Sequence, residues 1–219
     1  MTILGNYLRR YTDIPALICL LREKQITLLD PQTWDDKNDS YFLELYREKT
    51  GLKSVLALCF TRTSETYHHW RVFAGGASGV CISFKRAELL RAVKKQQGIR
   101  FGDVEYLKLD ELDKKKLKTE NLPFTKRYPF EHESEFRIIG QSRNHLNECN
   151  IPIPLSCIDK ITLSPWLNRS LSRHVKETLK CVDNCSGLKI VRSTLISNED
   201  WKAFGESAIS KRSKGRIAQ

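Results

Sequence analysis

No apolar run in these 219 residues approaches the ~20 that a helix needs to cross a bilayer. No membrane span is therefore expected. The first residues, Met1 to Tyr7, lack the basic start, long apolar core and cleavage site of a secretory signal, so a cytoplasmic location is the expectation. Cysteines number seven, an odd count that does not suit a disulfide framework. Cys59 and Cys81 stand inside apolar runs, where a thiol behaves as a small hydrophobe. Cys181 and Cys185 have no second pair at zinc-ligand spacing, so no metal site is assigned. Walker loops, dinucleotide fingerprints and nucleophile elbows are all missing. So are the common nucleic-acid modules and any internal repeat.

What the chain does have is charge. The formal net charge is +11, which biases it toward anions: nucleic acid, nucleotides or another polyanion. Lys94-Lys95 and Lys114-Lys115-Lys116 read as helix surfaces, and the tail from Ser210 to Arg216 reads as basic and mobile. The bland reading of the same charge is solubility.

Length and composition fit a single domain over residues 1–200, with 201–219 as an appendage. Pro15 to Leu21 reads as a helix capped by Asp13, followed by a short strand, Gln25 to Leu29. Asp35 to Ser40 reads as a loop and Tyr41 to Lys49 as a helix. Ser54 to Phe60 is a continuous apolar run, as in a strand buried on both faces, and Val80 to Phe84 is a second. Between them lies a short helix with Tyr67, His68, His69 and Trp70, then a glycine-rich turn, Gly75 to Gly79. Further on come a helix from Arg86 to Lys95, a strand from Ile99 to Tyr106 and a charged helix from Asp110 to Lys118. Cys157 to Leu163 is another strand, Ser164 caps a helix through Cys181, and Leu188 to Val191 closes the last strand. The elements do not alternate strictly as β-α-β. The expected class is α+β, a single domain with a mixed, largely antiparallel sheet flanked by helices.

The most informative stretch runs from Phe130 to Ile139. As a strand it puts Glu131, Glu133, Glu135 and Arg137 on one face, with Phe130, His132, Ser134, Phe136 and Ile138 on the other. At a sheet edge such a row is a solvated face, and an Arg137 pair with Glu133 or Glu135 is worth little there. In a cleft the row suits acid–base work, a metal or a cationic transition state. Near the N-terminus, alternation puts Arg10 and Thr12 on one face and Arg9 and Tyr11 on the other. An arginine at a strand end can hold a pyrophosphate with two hydrogen bonds. His69 and Trp70 fit a stacking ligand site or, more plainly, the core. Asn38-Asp39-Ser40 is a turn, with Asp39 a lesser site candidate.

The order of these motifs resembles the bacterial domain-of-unknown-function family numbered 2971. The resemblance rests on Arg9 to Thr12, Asn38 to Ser40, Cys59 to Thr61, His69 to Phe73, Gly79 to Phe84, the Glu133-x-Glu135-x-Arg137 strand and Ile158 to Pro165, across roughly residues 7–195. Arg9 stands where that family has an aromatic, Ser40 where it has proline, Phe130 where tryptophan is common and Ser164 where it has glycine. Membership implies no established activity. The family's layout is similar in outline to ADP-ribosyltransferases, whose folds use an early basic residue, a middle polar or aromatic residue and a late glutamate. That likeness implies Glu133 and Glu135 as catalytic acids, and Arg10, Tyr11, Trp70, Ser83 and Arg137 around NAD. The expectation is an NAD-dependent transfer enzyme, in bacterial stress or phage defence, acting on a polyanionic target. The alternatives are a non-enzymatic nucleic-acid or nucleotide-binding module, and a metal-dependent nuclease or hydrolase built on Glu133, Glu135 and Asp39.

Overall fold

The computed structural model describes residues 5–114 and 116–213. The chain opens with β1 (Tyr7–Asp13) and turns at once into α1 (Ile14–Glu23). Asp13 accepts a hydrogen bond from the Ala16 amide, and Pro15 fits the first turn, where its missing N–H costs nothing. β2 (Gln25–Leu29) leads through a 3-10 turn at Pro31–Thr33 to α2 (Lys37–Thr50). Then come β3 (Ser54–Thr61), α3 (Tyr67–Phe73), β4 (Gly79–Lys85) and α4 (Arg86–Val93). Gly79 must be glycine: a Cβ there would lie 1.9 Å from the Ala74 carbonyl oxygen. The second half adds β5 (Ile99–Asp103), β6 (Glu105–Leu107), β7 (Thr125–Arg127), β8 (Glu135–Ser142), β9 (Glu148–Pro152), β10 (Ile158–Leu163), α5 (Arg169–Lys180), β11 (Ile190–Arg192) and α6 (Glu199–Ser213).

One sheet organises the molecule, in the order β11-β10-β4-β1-β3-β2-β9, with β8 pairing β3 and β5 pairing β8. All its pairings are antiparallel except β10 with β11, so the class is the expected α+β. β3 has three neighbours but only two edges. β8 takes one edge along its whole length, Ser54 opposite Ser142 through to Thr61 opposite Glu135. The other edge is shared: β1 meets it at Thr61, opposite Arg9, and β2 meets it at Ala57, opposite Leu29. The sheet therefore splits beside Cys59, between these two contacts.

The period-2 alternation of strands sorts the side chains. One face carries Leu8, Leu58, Phe60, Ile82, Phe84, Phe136 and Ile138, which pack on Leu17 and Leu21 of α1 and Leu89 and Val93 of α4. Each such fully buried side chain contributes about 1.5–3 kcal/mol. The other face holds two smaller clusters. Val55, Ala57 and Ile139 pack on Leu43 and Tyr46 of α2. Tyr11 and Cys81 pack on Trp70 and Ala74, at the α3 end. Between these clusters the same face is polar: Arg9, Cys59, Thr61, Glu135 and Arg137. The sequence places a patch of charge where two helices fail to meet.

Several local expectations are corrected. Phe130 to Ile139 is not one strand; Tyr128–Glu133 is a 3-10 helix and β8 starts only at Glu135. Pro129 favours that helical start, and Ser134 breaks it with a left-handed backbone, φ 43°. Glu131 and His132 are consequently exposed. Asn38-Asp39-Ser40 is the first turn of α2, capped by Asp36, and not a loop. The strand at Ile99 to Tyr106 divides at Val104, whose amide turns to the Glu135 carbonyl, and β6 leaves to pair with β7. The charged helix is a 3-10 segment, Leu109–Lys114, with Lys115 outside the described residues. Asn168, not Ser164, caps α5; Ser164 accepts from the Trp166 amide in a turn that precedes it. Of the basic tail, Lys214 to Arg216 lie outside the described residues. No helix among the described residues is long and apolar enough to cross a membrane.

Candidate active site

A cavity of about 380 Å³ opens on the polar part of the second face, where the sheet splits. β1 lines it with Arg9, Arg10 and Tyr11, and β3 with Cys59 and Thr61. The loop into α2 gives Trp34 and Asp36, and the first turn of α2 gives Asp39; α3 gives His69, Val72 and Phe73; the late segment gives Lys126, Phe130, Glu133 and Glu135. The early strand and the late acids thus meet in one hollow.

Its floor is a buried ion cluster centred on Arg137, whose relative exposure is 0 %. Arg137 donates from Nε to Glu135 Oε1 (2.7 Å) and from Nη2 to Glu135 Oε2 (2.9 Å). It also donates to Asp39, Nη1 to Oδ1 (2.9 Å) and Nη2 to Oδ2 (2.8 Å), and from Nη1 to the Pro123 carbonyl (2.8 Å). All five guanidinium N–H donors are spent inside the protein. None is left for a phosphate, so Arg137 does not take the ligand-binding place given to it by resemblance. It is also no surface ion pair: it braces the wall.

Lys126 completes the cluster. Its Nζ lies 2.7 Å from Glu133 Oε2 and 3.5 Å from both Asp39 Oδ2 and Glu135 Oε2. The point on which three carboxylates converge is therefore filled by an ammonium, at the position a nuclease would give its metal. No group of three or more metal-ligating side chains among the described residues is placed to hold an ion. Three carboxylates against two cations leave one negative charge in excess. Burial pushes Glu135 up, but the charge and hydrogen bonds of Arg137 and the charge of Lys126 outweigh it and hold the carboxyl at about 2. Glu133 is different: burial raises it, and Lys126 only partly offsets that. Burial also raises Asp39, against Arg137. Both oxygens of Glu135 are tied to Arg137, whereas only Oε2 of Glu133 is bonded among the described residues. Glu133 is the acid with an oxygen to spare.

The backbone at Glu133 is pinned. Thr61 Oγ1 donates to its carbonyl at 2.6 Å, and His69 Nε2 approaches the same oxygen at 3.4 Å. A carbonyl only accepts, so His69 carries its proton on Nε2, and Nδ1 accepts from the Thr66 hydroxyl at 2.6 Å. Burial pushes the His69 pKa down and favours this neutral form. The left-handed Ser134 follows directly, held by its amide on the Glu131 carbonyl. Glu133 therefore stands on a strained, well-tied corner, of the kind found at functional sites.

Across the cavity, Arg9 Nη1 donates to the Thr63 carbonyl at 2.6 Å. Arg10 makes no hydrogen bond or ion pair among the described residues, and burial lowers its pKa. Register puts Arg10 opposite Ile82, yet it lines the cavity where β1 and β3 part. Tyr11 also lines it, stacked on His69 with ring centroids 5.4 Å apart.

Two expected residues are not brought there. Trp70 is fully buried, its Nε1 donating to Glu65 at 2.6 Å, so it is a core pillar with no face for a ligand. Ser83 is buried on β4, one strand beyond β1, opposite Arg9 and Lys160. Sequence reasoning missed Lys126 and Trp34. Lys126 sits in a three-residue strand too short to show a pattern, and Trp34 in a turn without one.

A family of proteins of unknown function, DUF2971, matches residues 69–138, a span from α3 through Arg137. That is narrower than residues 7–195 but contains His69, Lys126, Glu133 and Glu135. No curated protein matches the sequence. Among solved structures, DarT of Thermus sp. 2.9 in complex with carba-NAD+ is similar at 11% identity and TM-score 0.44, covering 90% of this chain and 97% of that one. The same protein with NAD+ gives 11%, TM-score 0.42, and coverage of 90% and 96%. With ADP-ribosylated ssDNA it gives 11%, TM-score 0.44, and 90% and 95%.

Proposed function

We propose that this protein cleaves NAD+ at the nicotinamide–ribose bond and transfers the ADP-ribosyl group to an acceptor. One observation carries the reading: a single cavity joins Arg10, an arginine unpaired among the described residues, to a wall with an excess of negative charge. NAD+ has the matching polarity, an anionic pyrophosphate and a cationic nicotinamide riboside.

The chemistry follows from that polarity. The C1′–N bond breaks and nicotinamide leaves neutral, with the bonding electron pair. Positive charge develops on the ribose ring. A carboxylate fixed beside that charge lowers the barrier because it needs no reorganisation when the charge appears. Glu133 is the residue for this step, with its free oxygen and its pinned backbone. An acceptor nucleophile then bonds to C1′ and releases a proton. Arg10 offers the pyrophosphate a cation that no carboxylate among the described residues has claimed. The net charge of +11 suits a polyanionic acceptor such as nucleic acid. Phage defence or another stress response would give such an enzyme a bacterial setting.

The test is nicotinamide release from NAD+, followed by chromatography, with and without single-stranded nucleic acid. Release by the native protein and its loss in Glu133→Gln is the expected result. No release under either condition, or full release by Glu133→Gln, rejects the reading.

A further inference from the structure

We infer that Trp34 is the surface on which the cavity stacks a planar heteroaromatic ring of its ligand, and that Arg137 holds it there. The inference rests on the NAD+ reading for the identity of the ring, though not for the platform itself.

Trp34 follows the 3-10 turn Pro31–Thr33, and its amide closes that turn on the Pro31 carbonyl. Its carbonyl accepts from Lys37 Nζ at 2.8 Å, which ties the residue to the start of α2. The backbone is thus fixed at both ends. The ring is half-buried and lines the cavity. The guanidinium carbon of Arg137 lies over it, 5.0 Å from the ring centroid. Arg137 has no N–H left to donate, so the flat face of its guanidinium is what it offers Trp34. A guanidinium clamped by two carboxylates is as rigid a backing as a side chain can have. An indole backed this way loses little freedom when a second ring settles on it, which is the condition for tight stacking.

The other rings of the cavity are engaged. Tyr11 is stacked on His69 and met edge-on by Trp70. Phe73 packs on His68 and His69. Phe130 faces the Lys126 ammonium at 4.8 Å. Trp34 is in no aromatic pair among the described residues. Among the described residues it shares with Phe130 the lack of a ring partner, and its indole is the wider of the two surfaces. The adenine and nicotinamide of a dinucleotide are the rings that the reading supplies.

The experiment measures binding of NAD+, AMP, nicotinamide mononucleotide and ribose 5-phosphate to the full chain. It compares native protein with Trp34→Ala and Trp34→Phe by calorimetry and by quenching of intrinsic fluorescence. At least one ring-bearing probe is expected to bind about 10-fold more weakly to Trp34→Ala, with Trp34→Phe close to native. Ribose 5-phosphate, which has no ring, is expected to bind all three alike. Quenching by the ring-bearing probe disappears in Trp34→Phe although that variant still binds. Equal binding of every ring-bearing probe to native protein and Trp34→Ala overturns the inference, as does a parallel loss of ribose 5-phosphate. If the native protein binds NAD+ in a Trp34-dependent way but releases no nicotinamide, the transfer reading fails and the stacking surface stands. If nicotinamide is released equally by Trp34→Ala at limiting NAD+, the reading stands and the stacking surface falls.

Discussion

Arg137 grips both carboxylate oxygens of Asp39, a residue 98 positions earlier in the chain, at 2.9 and 2.8 Å. This pair fastens the first turn of α2 to β8, and with it one wall of the cavity to the strand that follows Glu133. The grip is fully buried, so its worth is set by what remains when it is broken. Removing one partner leaves charge without compensation in a medium of low polarity.

Arg137→Met should therefore destabilise the fold by about 3–5 kcal/mol, because Asp39 and Glu135 are left facing each other. Arg137→Lys should fall between, since it keeps the charge and loses the fork that serves two carboxylates at once. Urea unfolding of the three proteins measures both differences. A loss under about 1 kcal/mol for Arg137→Met contradicts this account.

Glu133 and Glu135 should separate in mutagenesis. Glu133→Gln keeps the size and removes the charge of the acid with a free oxygen, so nicotinamide release should stop while the melting temperature changes little. Glu135→Gln breaks the bidentate bond to Arg137, and its main effect should be on stability. Paired measurements of turnover and melting check the contrast, and equal effects of the two variants on both would contradict it.

Acid should loosen the cluster. The carboxyl of Glu135 is held at about 2, below its ordinary 4.5. A depressed carboxylate stabilises the folded state above its unfolded value and loses that contribution as pH falls toward its folded value. The window is therefore about pH 4.5 down to 2, and the contribution is on the order of 3 kcal/mol. Asp39 and Glu133 are shifted upward and act in the opposite sense. The Glu135 share is read as the difference between native protein and Glu135→Gln across that window. Parallel stability curves for the two would refute it.

The carbonyl of Glu133 offers a finer test. Thr61→Val has nearly the same shape and removes the 2.6 Å hydrogen bond that Thr61 Oγ1 donates. Among the described residues the buried carbonyl then keeps only the longer His69 contact. A stability loss of about 1–3 kcal/mol is expected, with a fall in kcat and an unchanged KM. A changed KM with intact kcat would mean that the pinned corner does not position Glu133.

How much of this the amino-acid pattern disclosed differs from element to element. The uninterrupted apolar runs at β3 and β4 announce strands buried on both faces, because their length suits a strand and falls short of an ordinary helix. Asp13 and Pro15 announce α1 through local chemistry alone. The acidic row was legible as chemistry but not as geometry. Pro129 and the left-handed Ser134 turn Phe130 to Glu133 into a helical corner, and no period-2 pattern reports a positive φ. Trp70 looked like a ligand platform because an exposed and a buried tryptophan are the same letter. Lys126 stayed hidden for a physical reason: its meaning comes from three acids on other segments, brought together only by the fold.

Arg10 supplies the last prediction. Among the described residues it is a half-buried cation without an ion-pair partner, and burial lowers its pKa by more than Cys59 and Asp13 raise it, so the folded state bears a net desolvation cost. Arg10→Gln removes the charge and keeps a polar head of similar reach. The melting temperature should then hold or rise. The same substitution takes away the cation proposed for the pyrophosphate, so KM for NAD+ should rise about 10- to 100-fold, the range for a hydrogen bond to a charged group. Native KM should also climb with salt, and Arg10→Gln should blunt that dependence. A variant that is no less stable yet binds worse would mark Arg10 as retained for the ligand, since a residue kept for the fold would show the reverse. Loss of stability with KM unchanged would return Arg10 to the scaffold.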